Sequence, residues 1–324
     1  MSDYLWWPVY AGGFVLGSLG ILRLFIKFTS GRYCVKEDLT GRVILITGAT
    51  AGIGKAAAEK LSKHGATLYL LCRNLTKAQK VANDIQAATG NPVNVVELDT
   101  SSLASVRKCA EQVLKLCPRI HVLINNAGRV GYVTKEPVLT SDGLEITAAT
   151  NYFGHFLLTA LLLDRLKASA PSRIINVSSL MHMWERKFGA DNLNFERGNY
   201  TETLGYSHSK LAQILHAREL AIKLHGTGVT ANSMHPGMVR TSIIDAYGGL
   251  RSLMLQFFFY WLKTPHEGAQ TIIYLAAADQ VKTVSGCYFG DCKPYTPRTL
   301  KAFDAQLSVE IFERSCQLTS LESR

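Results

Sequence analysis

The sequence predicts an α/β protein built on a doubly wound parallel sheet, with one transmembrane helix at its N-terminus. Short runs rich in β-branched residues alternate with longer helical patterns between residues 43 and 234, the rhythm of parallel strands joined by helices. A glycine-rich turn, TGATAGIG, follows the first of these runs. An uncharged apolar stretch, Tyr4–Leu22, precedes them all.

The N-terminal stretch has the features of a membrane anchor. As a helix, Tyr4–Leu22 is about as long as the hydrocarbon core of a bilayer is thick. Trp6 and Trp7 lie near one end, where interfacial aromatic residues belong. A secretory signal carries its positive charge before the apolar segment. Here the charges follow it, at Arg23, Lys27, Arg32 and Lys36, which predicts that the rest of the chain stays in the cytosol.

Two further readings of this stretch stay open. A buried core helix is the alternative to a membrane span. Gly13 and Gly17 have the GxxxG spacing at which two membrane helices can pack closely. The sequence therefore allows a homodimer.

The composition describes a folded protein with an anionic partner. The 324 residues are 47% hydrophobic and 19% charged, so the chain can bury a large core. A net charge of +10 suits a nucleotide phosphate or a lipid headgroup. Nucleic acid is the least supported partner, because the sequence lacks a basic patch interleaved with aromatic residues. The 7 cysteines form no CxxC pair and the 9 histidines no HExxH motif, so neither disulfides nor a metal site is expected.

The alternation divides the chain into four parts. We expect an anchor at 1–28, a linker at 29–40, an α/β domain at 41–295 and a C-terminal amphipathic helix with its tail at 296–324, where Thr299–Leu318 has apolar residues at helical spacing. Within the domain, strands are predicted at 43–47, 67–72, 93–98, 121–125, 173–178 and 229–234. Helices are predicted at about 53–64, 75–88, 103–117 and 140–169, and a further helix carries Tyr206 and ends near Gly226.

The first predicted strand runs into a nucleotide-binding turn. Gly48, Gly52 and Gly54 open the first helix of the domain directly after the strand. Glycine lets the backbone turn tightly and approach a pyrophosphate, while the free N–H groups at the start of a helix bind the anion. This context predicts a Rossmann-type fold that holds a dinucleotide.

The end of the second strand predicts which dinucleotide is bound. A Rossmann fold that prefers NAD has an acidic residue there to hold the ribose 2′-hydroxyl, whereas this chain has Cys72, Arg73 and Asn74. Arg73 would pair with the 2′-phosphate of NADP(H). A solvated surface arginine is the alternative.

Tyr206 and Lys210 are placed to share a pocket. The stretch GYSHSKLAQ separates them by four residues, the spacing that puts two side chains on one face of a helix. A nearby positive charge favours the phenolate and lowers the pKa of a tyrosine toward neutral, where a general acid and base works best. The pair is therefore a candidate proton shuttle, with two surface residues as the alternative.

These motifs together resemble the short-chain dehydrogenase/reductase family. NNAG ends the fourth strand, NVSS the fifth, and PGMVRT follows the sixth; with the glycine turn and YxxxK they occur in the family's order between Gly41 and Tyr288. The chain is most similar to the membrane-anchored retinol dehydrogenase branch. The segments that carry this closer resemblance are NYFGHFLLTALLLDRLK, INVSSLMH, YSHSKLAQILHARELA, GTGVTANSMHPGMVRT, KTPHEGAQT and SGCYFGDCK.

The resemblance implies roles for particular residues. Tyr206 would donate or accept the proton, Lys210 would lower its pKa and hold the nicotinamide ribose, and Ser179 would hydrogen-bond the substrate oxygen. Asn151 would anchor a water that links Lys210 to solvent, and Asp99 would face the adenine. The implied cofactor-binding set comprises Gly48, Gly52, Ile53, Gly54, Arg73, Asp99, Asn126, Ala127, Gly128, Tyr206, Lys210, Pro236, Gly237, Val239 and Thr241.

Several alternatives remain within this resemblance. Asn126 could serve only to tie adjacent strands together, and Ser178 could face the pocket in place of Ser179. Many family members that prefer NADP carry a basic residue just before the second glycine of the turn. This chain has Ala51 there, so the expectation of NADP(H) depends on Arg73.

The stretch Leu250–Leu262 indicates the substrate class. It is too short to span a bilayer and too apolar for a plain surface loop, and in the resemblance it belongs to the substrate-binding region. We therefore expect an NADP(H)-dependent oxidoreductase of retinoids or similar lipophilic alcohols and carbonyls, held in the endoplasmic reticulum membrane and facing the cytosol. Simple core packing of this stretch, a steroid or fatty-aldehyde substrate, and a non-catalytic nucleotide-binding scaffold are the alternatives.

Overall fold

The sheet is the centre of the fold. The computed structural model describes residues 7–130, 134–185, 187–240 and 260–321, apart from some side chains near the start of the first helix. Eight strands form one sheet in the order β3-β2-β1-β4-β5-β6-β7-β8, and only the β7–β8 pair is antiparallel. The strands are β1 (Val43–Thr47), β2 (Thr67–Cys72), β3 (Val93–Glu97), β4 (Val122–Asn125), β5 (Ser172–Val177), β6 (Val229–His235), β7 (Tyr288–Gly290) and β8 (Lys293–Pro294).

Helices cover both faces of this sheet. They are α1 (Trp7–Thr29), α2 (Gly52–Lys63), α3 (Leu75–Thr89), α4 (Leu103–Leu116), α5 (Ile146–Ala148), α6 (Gly154–Ala168), α7 (Glu202–Lys223), α8 (Pro265–Gly268), α9 (Gln270–Ala277) and α10 (Ala305–Leu318). The predicted Rossmann-type doubly wound sheet is confirmed, and the strands predicted at 43–47 and 67–72 have the bounds expected of them.

The central strands are apolar because both of their faces are buried. In β1, Ile44 and Ile46 pack into the core layer that contains α2 and α9, while Leu45 between them packs into the opposite layer with α4 and α6. All three side chains are fully buried. Strands of this kind show continuous apolar runs instead of alternation, which is why short runs such as VILIT were recognisable as strands.

The helix predicted at 140–169 is interrupted and begins later than expected. Residues 140–145 form a turn with a bridge between Leu139 and Glu145, and the buried Glu145 side chain then accepts hydrogen bonds from the N–H groups of Thr147 and Ala148. A side-chain cap of this kind sets the start of a helix. Between α5 and α6 the chain makes one π-helical stretch, Ala149–Phe153, and this stretch carries Asn151.

The C-terminal segment forms two elements, whereas one continuous helical stripe was expected. Leu300–Phe303 is a short 3₁₀ helix, and Asp304 then caps α10 by accepting from the N–H of Leu307. Ile311 is buried against the domain, while Leu300 remains 88% exposed. Of the apolar residues at helical spacing, those that pack against the domain therefore belong to α10.

The first helix joins the domain through a salt bridge. Arg23 donates to both carboxylate oxygens of Glu267, at 2.9 and 3.0 Å, and Glu267 belongs to the capping box that starts α8. After the helix, the N–H of Gly31 donates to Asp291 Oδ1 at 3.0 Å. The residues predicted as a linker therefore contact the domain directly.

Membrane spanning by this helix remains a prediction. Within the part of the chain that the structure describes, one segment is long and apolar enough to cross a bilayer, Ile146–Ala168, and it lies mostly buried in the core. The stretch Leu250–Leu262 is expected to line the substrate region. Its residues 250–259 lie outside the part of the chain that the structure describes.

Gly154 sets how closely α6 approaches the strand edge. A Cβ atom at this position would overlap the carbonyl oxygen of Thr100. Gly154→Ala should therefore lower the free energy of unfolding by about 1–3 kcal/mol, the usual cost of overpacking. The measurement is denaturant unfolding of the purified protein in detergent. Gly20→Ala is the matched control, because nothing lies within 4 Å of a Cβ atom there; equal stability of the two variants would contradict the packing argument.

Candidate active site

The glycine turn packs tightly against the end of β4. Gly48 has a φ of +67°, which glycine adopts readily, and a Cβ atom there would lie 2.8 Å from Cα of Ala127. At Gly54 a Cβ atom would overlap the side-chain amide of Asn126. The two glycines are therefore required for the contact between the turn and the NNAG segment.

The start of α2 is open to an anion. Ala51 precedes the helix and makes no side-chain cap, and no side chain among the described residues accepts from the N–H of Gly52 or Ile53. Uncapped N–H groups at a helix start, together with the helix dipole, bind phosphate. This part of the site fits the pyrophosphate of a dinucleotide.

Asn126 does tie the strands together. Its Nδ2 donates to the carbonyl oxygens of Thr47 and Gly48, at 2.8 and 3.3 Å. The hydroxyl of Thr47 in turn accepts from the N–H groups of Asn126 and Ala127, both at 2.8 Å. Gly128 comes next in the chain, and a Cβ atom there would lie 3.6 Å from Lys210 Nζ. The NNAG segment therefore runs from the glycine turn to the side chain of Lys210, a candidate catalytic residue.

Arg73 and Asp99 lie together at the ends of β2 and β3. Arg73 Nη1 lies 4.0 Å from Asp99 Oδ2, and the Arg73 side chain is 77% exposed. Asp99 Oδ1 accepts from both the N–H and the hydroxyl of Ser101, at 2.9 and 2.6 Å. Arg73 therefore has room to turn toward a ligand, whereas Asp99 is held by its own loop.

The PGMVRT segment returns to the glycine turn. Gly237 has a φ of +79° and its N–H donates to His235 Nδ1 at 3.1 Å. A Cβ atom at Gly268 would overlap the side chains of both Val239 and Ile53, so the residues after β6 and those of the turn meet at one point. Pro236 lies between His235 and Gly237 in the sequence. Thr241 lies outside the described residues.

Tyr206 and Lys210 lie on one face of α7, as the spacing predicts. Lys210 Nζ is 5.5 Å from the centre of the Tyr206 ring. The amine is 3% exposed and donates to the carbonyl oxygen of Val177 at 2.8 Å. Burial lowers the pKa of Lys210 to about 7, so both forms of the amine are populated near neutral pH.

Of the two serines in NVSS, Ser178 is used inside the fold. Its hydroxyl is buried and donates to the carbonyl oxygen of Lys210 at 2.7 Å. Ser179 Oγ accepts from the N–H of Met181 at 3.2 Å, where it caps the following 3₁₀ helix. A hydroxyl that accepts in this way keeps its hydrogen for another partner. The geometry therefore favours Ser179 over Ser178 as the residue that faces a substrate.

His182 supports Ser179 and was not identified from the sequence. Its Nδ1 lies 2.6 Å from the carbonyl oxygen of Ser179, and its Nε2 accepts from the N–H of Arg298 at 3.1 Å. Since Nε2 accepts, Nδ1 must carry the hydrogen, and burial lowers the pKa of this imidazole. The only signal in the sequence is its position three residues after the serine.

Asn151 is buried at the centre of a second network. Its side-chain amide donates to the carbonyl oxygen of Arg129 and to Ser209 Oγ, both at 3.0 Å, and its Oδ1 accepts from the N–H of Arg129 at 2.8 Å. Its carbonyl oxygen accepts from Gln213 Nε2 at 2.5 Å and lies 2.9 Å from His155 Nδ1. Neither Gln213 nor His155 was identified from the sequence.

A groove lies between the 3₁₀ helix that follows Ser179 and the start of α7. Its volume is about 530 Å³, and Trp184, which lines it, is 57% exposed. Met183 and Leu204 add further apolar surface, and Leu204 lies two residues before Tyr206. The remaining lining residues are Glu185, Thr201 and Thr203.

Comparisons with known proteins agree with this geometry. Residues 42–190 match the family model described as short chain dehydrogenase. The chain is 39% identical to retinol dehydrogenase 13 of Mus musculus over 99% of this chain and 96% of that protein, and 40% identical to retinol dehydrogenase 12 of Homo sapiens over 95% and 99%.

The fold is also similar to that of a solved bacterial enzyme. A short chain dehydrogenase from Escherichia coli, solved in complex with NADPH, superposes with a TM-score of 0.64 at 26% identity, covering 79% of this chain and 99% of that one. The sheet order and the relatives therefore identify the chain as an oxidoreductase. The chain is a member of the short-chain dehydrogenase/reductase family, in its retinol dehydrogenase branch.

Proposed function

We propose that the protein is an NADP(H)-dependent oxidoreductase that interconverts a lipophilic, retinoid-like alcohol and its carbonyl compound, with Tyr206 as the general acid and base. The observation that carries this proposal is the position of the Tyr206–Lys210 pair at the carboxyl edge of the sheet. Lys210 Nζ lies 5.5 Å from the centre of the Tyr206 ring and donates to the carbonyl oxygen of Val177, two residues before Ser179. Ligands of doubly wound sheets bind at this edge. A non-catalytic scaffold would have no need of these three groups.

The residues divide the chemistry between them. A bound nicotinamide cofactor supplies or accepts the hydride. Tyr206 donates the proton to the substrate oxygen during reduction and removes it during oxidation. Ser179 holds the same oxygen by donating its hydroxyl hydrogen, and His182 fixes the backbone of Ser179 through its carbonyl oxygen. Lys210, as the ammonium, favours the phenolate form of Tyr206.

The preference for NADP(H) rests on Arg73. Its guanidinium is 77% exposed at the end of β2, where the 2′-substituent of a bound dinucleotide lies in this fold. A planar guanidinium can form two charge-assisted hydrogen bonds with a phosphate. The Escherichia coli relative was solved with NADPH, which supports the same choice.

The substrate class rests on the groove and on the relatives. Trp184, Met183 and Leu204 give the groove apolar surface, and they belong to the segments that follow Ser179 and precede Tyr206 in the sequence. Such a surface suits a lipophilic molecule whose single oxygen reaches the two hydroxyls. The curated relatives are named for retinol. Steroids and long-chain aldehydes have the same chemistry and are the competing substrates.

The membrane assignment rests on α1. Its exposed apolar side chains within the predicted span include Tyr10, Phe14, Ile21 and Leu22, which would lie in lipid if the helix spans the bilayer. The basic residues after the apolar stretch Tyr4–Leu22 favour a cytosolic catalytic domain. Such an anchor would hold the groove close to a reservoir of lipophilic substrate in the endoplasmic reticulum membrane.

Replacing Tyr206 with phenylalanine tests the acid and base. The change removes the hydroxyl that exchanges the proton, so turnover of all-trans-retinal, steroids and long-chain aldehydes should fall by about 10²- to 10⁴-fold. NADPH affinity should stay within a few-fold, because the ring remains. Tyr274→Phe, the same change in a side chain that packs against Tyr33, is the control. Wild-type turnover by purified Tyr206→Phe would rule out the assignment.

Replacing Arg73 with aspartate tests the choice of cofactor. The carboxylate repels a 2′-phosphate and can accept hydrogen bonds from the ribose hydroxyls of NADH. The ratio of kcat/KM for NADPH over NADH should fall by about ten- to a hundredfold or more. Lys80→Asp on the exposed face of α3 makes a charge change of the same sign as a control. A wild type that prefers NADH, or an unchanged ratio in Arg73→Asp, would end the NADP(H) proposal.

Glycosylation reports on the orientation in the membrane. Asn199 lies exposed in a sequon, whereas the sequon at Asn176 is buried in β5 and the one at Asn74 caps α3. A cytosolic domain should carry no glycan at any of them. The measurement is a mass shift on glycosidase treatment, with a form sent into the lumen by an added signal sequence as the positive control. A mass shift that is present in wild type and lost in Asn199→Gln would show that the catalytic domain faces the lumen.

A further inference from the structure

The chain after β8 is bonded to the short helix that follows Ser179. That element is the 3₁₀ helix Leu180–Trp184, and its His182 side chain is fully buried. His182 Nε2 accepts from the backbone N–H of Arg298 at 3.1 Å, while Nδ1 donates to the carbonyl oxygen of Ser179 at 2.6 Å. One imidazole therefore connects the backbone of the C-terminal segment 298–301 to the backbone of the serine.

Glu185 holds the same C-terminal segment in place. Its Oε1 accepts from the hydroxyl of Thr299 and its Oε2 from Lys301 Nζ, both at 3.0 Å. Lys301 Nζ also donates to the carbonyl oxygen of Phe188 at 3.2 Å. The Glu185 side chain is only 7% exposed, so its attraction to the ammonium group is stronger than that between two exposed charges. The N–H group that His182 uses therefore belongs to a segment that is itself fixed to the domain.

Tyr288 of β7 holds the Ser179 peptide from a second side. Its hydroxyl donates to the carbonyl oxygen of Ser179 at 3.3 Å. Its ring meets the His182 imidazole edge to face, with the two ring centres 5.2 Å apart. Rotation of the peptide after Ser179 would leave both donors without their acceptor inside the fold, which is costly. The backbone that carries the serine hydroxyl is therefore set by side chains from two other parts of the chain.

We propose that His182 is a positioning residue of this enzyme, through which the C-terminal segment 298–301 holds Ser179 in place for the substrate oxygen. This inference rests on the proposed function, since it takes Ser179 to bind that oxygen. His182 acts through the backbone of Ser179 and exchanges no proton with the substrate. A hydroxyl that has to meet a reacting oxygen is sensitive to small displacements. Loss of the link should therefore lower kcat and leave the affinity for NADPH unchanged.

Substitutions at His182 separate the two bonds of the imidazole. Asparagine keeps an N–H close to the position of Nδ1 but is too short to reach Arg298. His182→Asn should therefore lower kcat by about tenfold, the effect of one hydrogen bond, and His182→Ala by about a hundredfold. The Kd for NADPH should stay at its wild-type value in both. His225→Asn, the same change in an exposed side chain after α7, is the control and should alter neither quantity.

Substitutions at Arg298 test the other end of the link. Proline has no N–H group, so Arg298→Pro removes the donor to His182 Nε2 and should lower kcat by about tenfold. Arg298→Ala keeps the N–H and removes only the guanidinium, so it should lose less activity than Arg298→Pro. Partial activity in His182→Asn and in Arg298→Pro, each above that of His182→Ala, is the pattern expected of a two-bond link.

Amide hydrogen exchange tests the link without a substrate. The amides of Leu180–Trp184 should exchange faster in Arg298→Pro than in Arg298→Ala, because the helix loses its contact with the C-terminal segment. The amides of β1 should exchange at the wild-type rate in both variants. A loss of stability throughout the domain would instead change both regions and the Kd for NADPH together.

The two measurements distinguish this inference from the proposed activity. If wild type reduces none of the carbonyl substrates, the proposed function fails, while the exchange rates still test the link. Faster exchange in Arg298→Pro than in Arg298→Ala supports it, and equal rates overturn it. With an active wild type, an unchanged kcat in Arg298→Pro overturns the positioning role even where exchange is faster. If Arg298→Pro does not fold, His182→Asn decides by the same kcat and exchange measurements against wild type.

Discussion

The hydroxyl of Thr47 holds together the elements from which the site is built. At the end of β1 it accepts from the N–H groups of Asn126 and Ala127, and it lies 2.9 Å from Nε2 of His155 on α6. One buried atom therefore fixes the distance between the glycine turn, the NNAG segment and the helix that follows Asn151. The close approach at Gly48 and Gly54 depends on that distance. Unpaired backbone N–H groups at this depth would be costly, so the contact is also required for stability.

The candidate catalytic residues lie in a network of buried polar groups that are hydrogen-bonded to one another. Lys210, Asn151 and Gln213 are each at most 3% exposed, and every one of them has hydrogen-bond partners in the fold. A network of this kind resists rearrangement because breaking one bond leaves a buried group unpaired. The amine is thereby held in a low-dielectric setting where small changes in its neighbours alter its charge. This is the environment in which a proton-transfer pair near neutral pH can be tuned.

The sequence predicted the sheet well because its strands obey local rules. Runs such as VILIT and TLYLLC are apolar and only five or six residues long. They are therefore too short for core helices and fit strands that are buried on both faces. The start of α5 was missed because Glu145 acts as its cap only where Asn194 and Tyr200 also hold that residue. The positions of Tyr206 and Lys210 followed from helical spacing alone. Gln213 and His155 could not be found in this way, since a buried polar residue on a helix has the same periodicity as an apolar one.

The junction between α1 and the domain has a consequence for where the enzyme can be shortened. Gly31 contacts Asp291 so closely that a Cβ atom would overlap the Asp291 backbone. Asp291 also accepts from Lys263 Nζ at 2.5 Å, and Lys263 pairs through its backbone with the residues on either side of Val239. A soluble form that begins after residue 28 keeps this chain of contacts intact. One that begins at residue 41 also removes Gly31, the partner of Asp291, and with it the support behind the PGMVRT segment. Both shortened forms lose the salt bridge between Arg23 and Glu267.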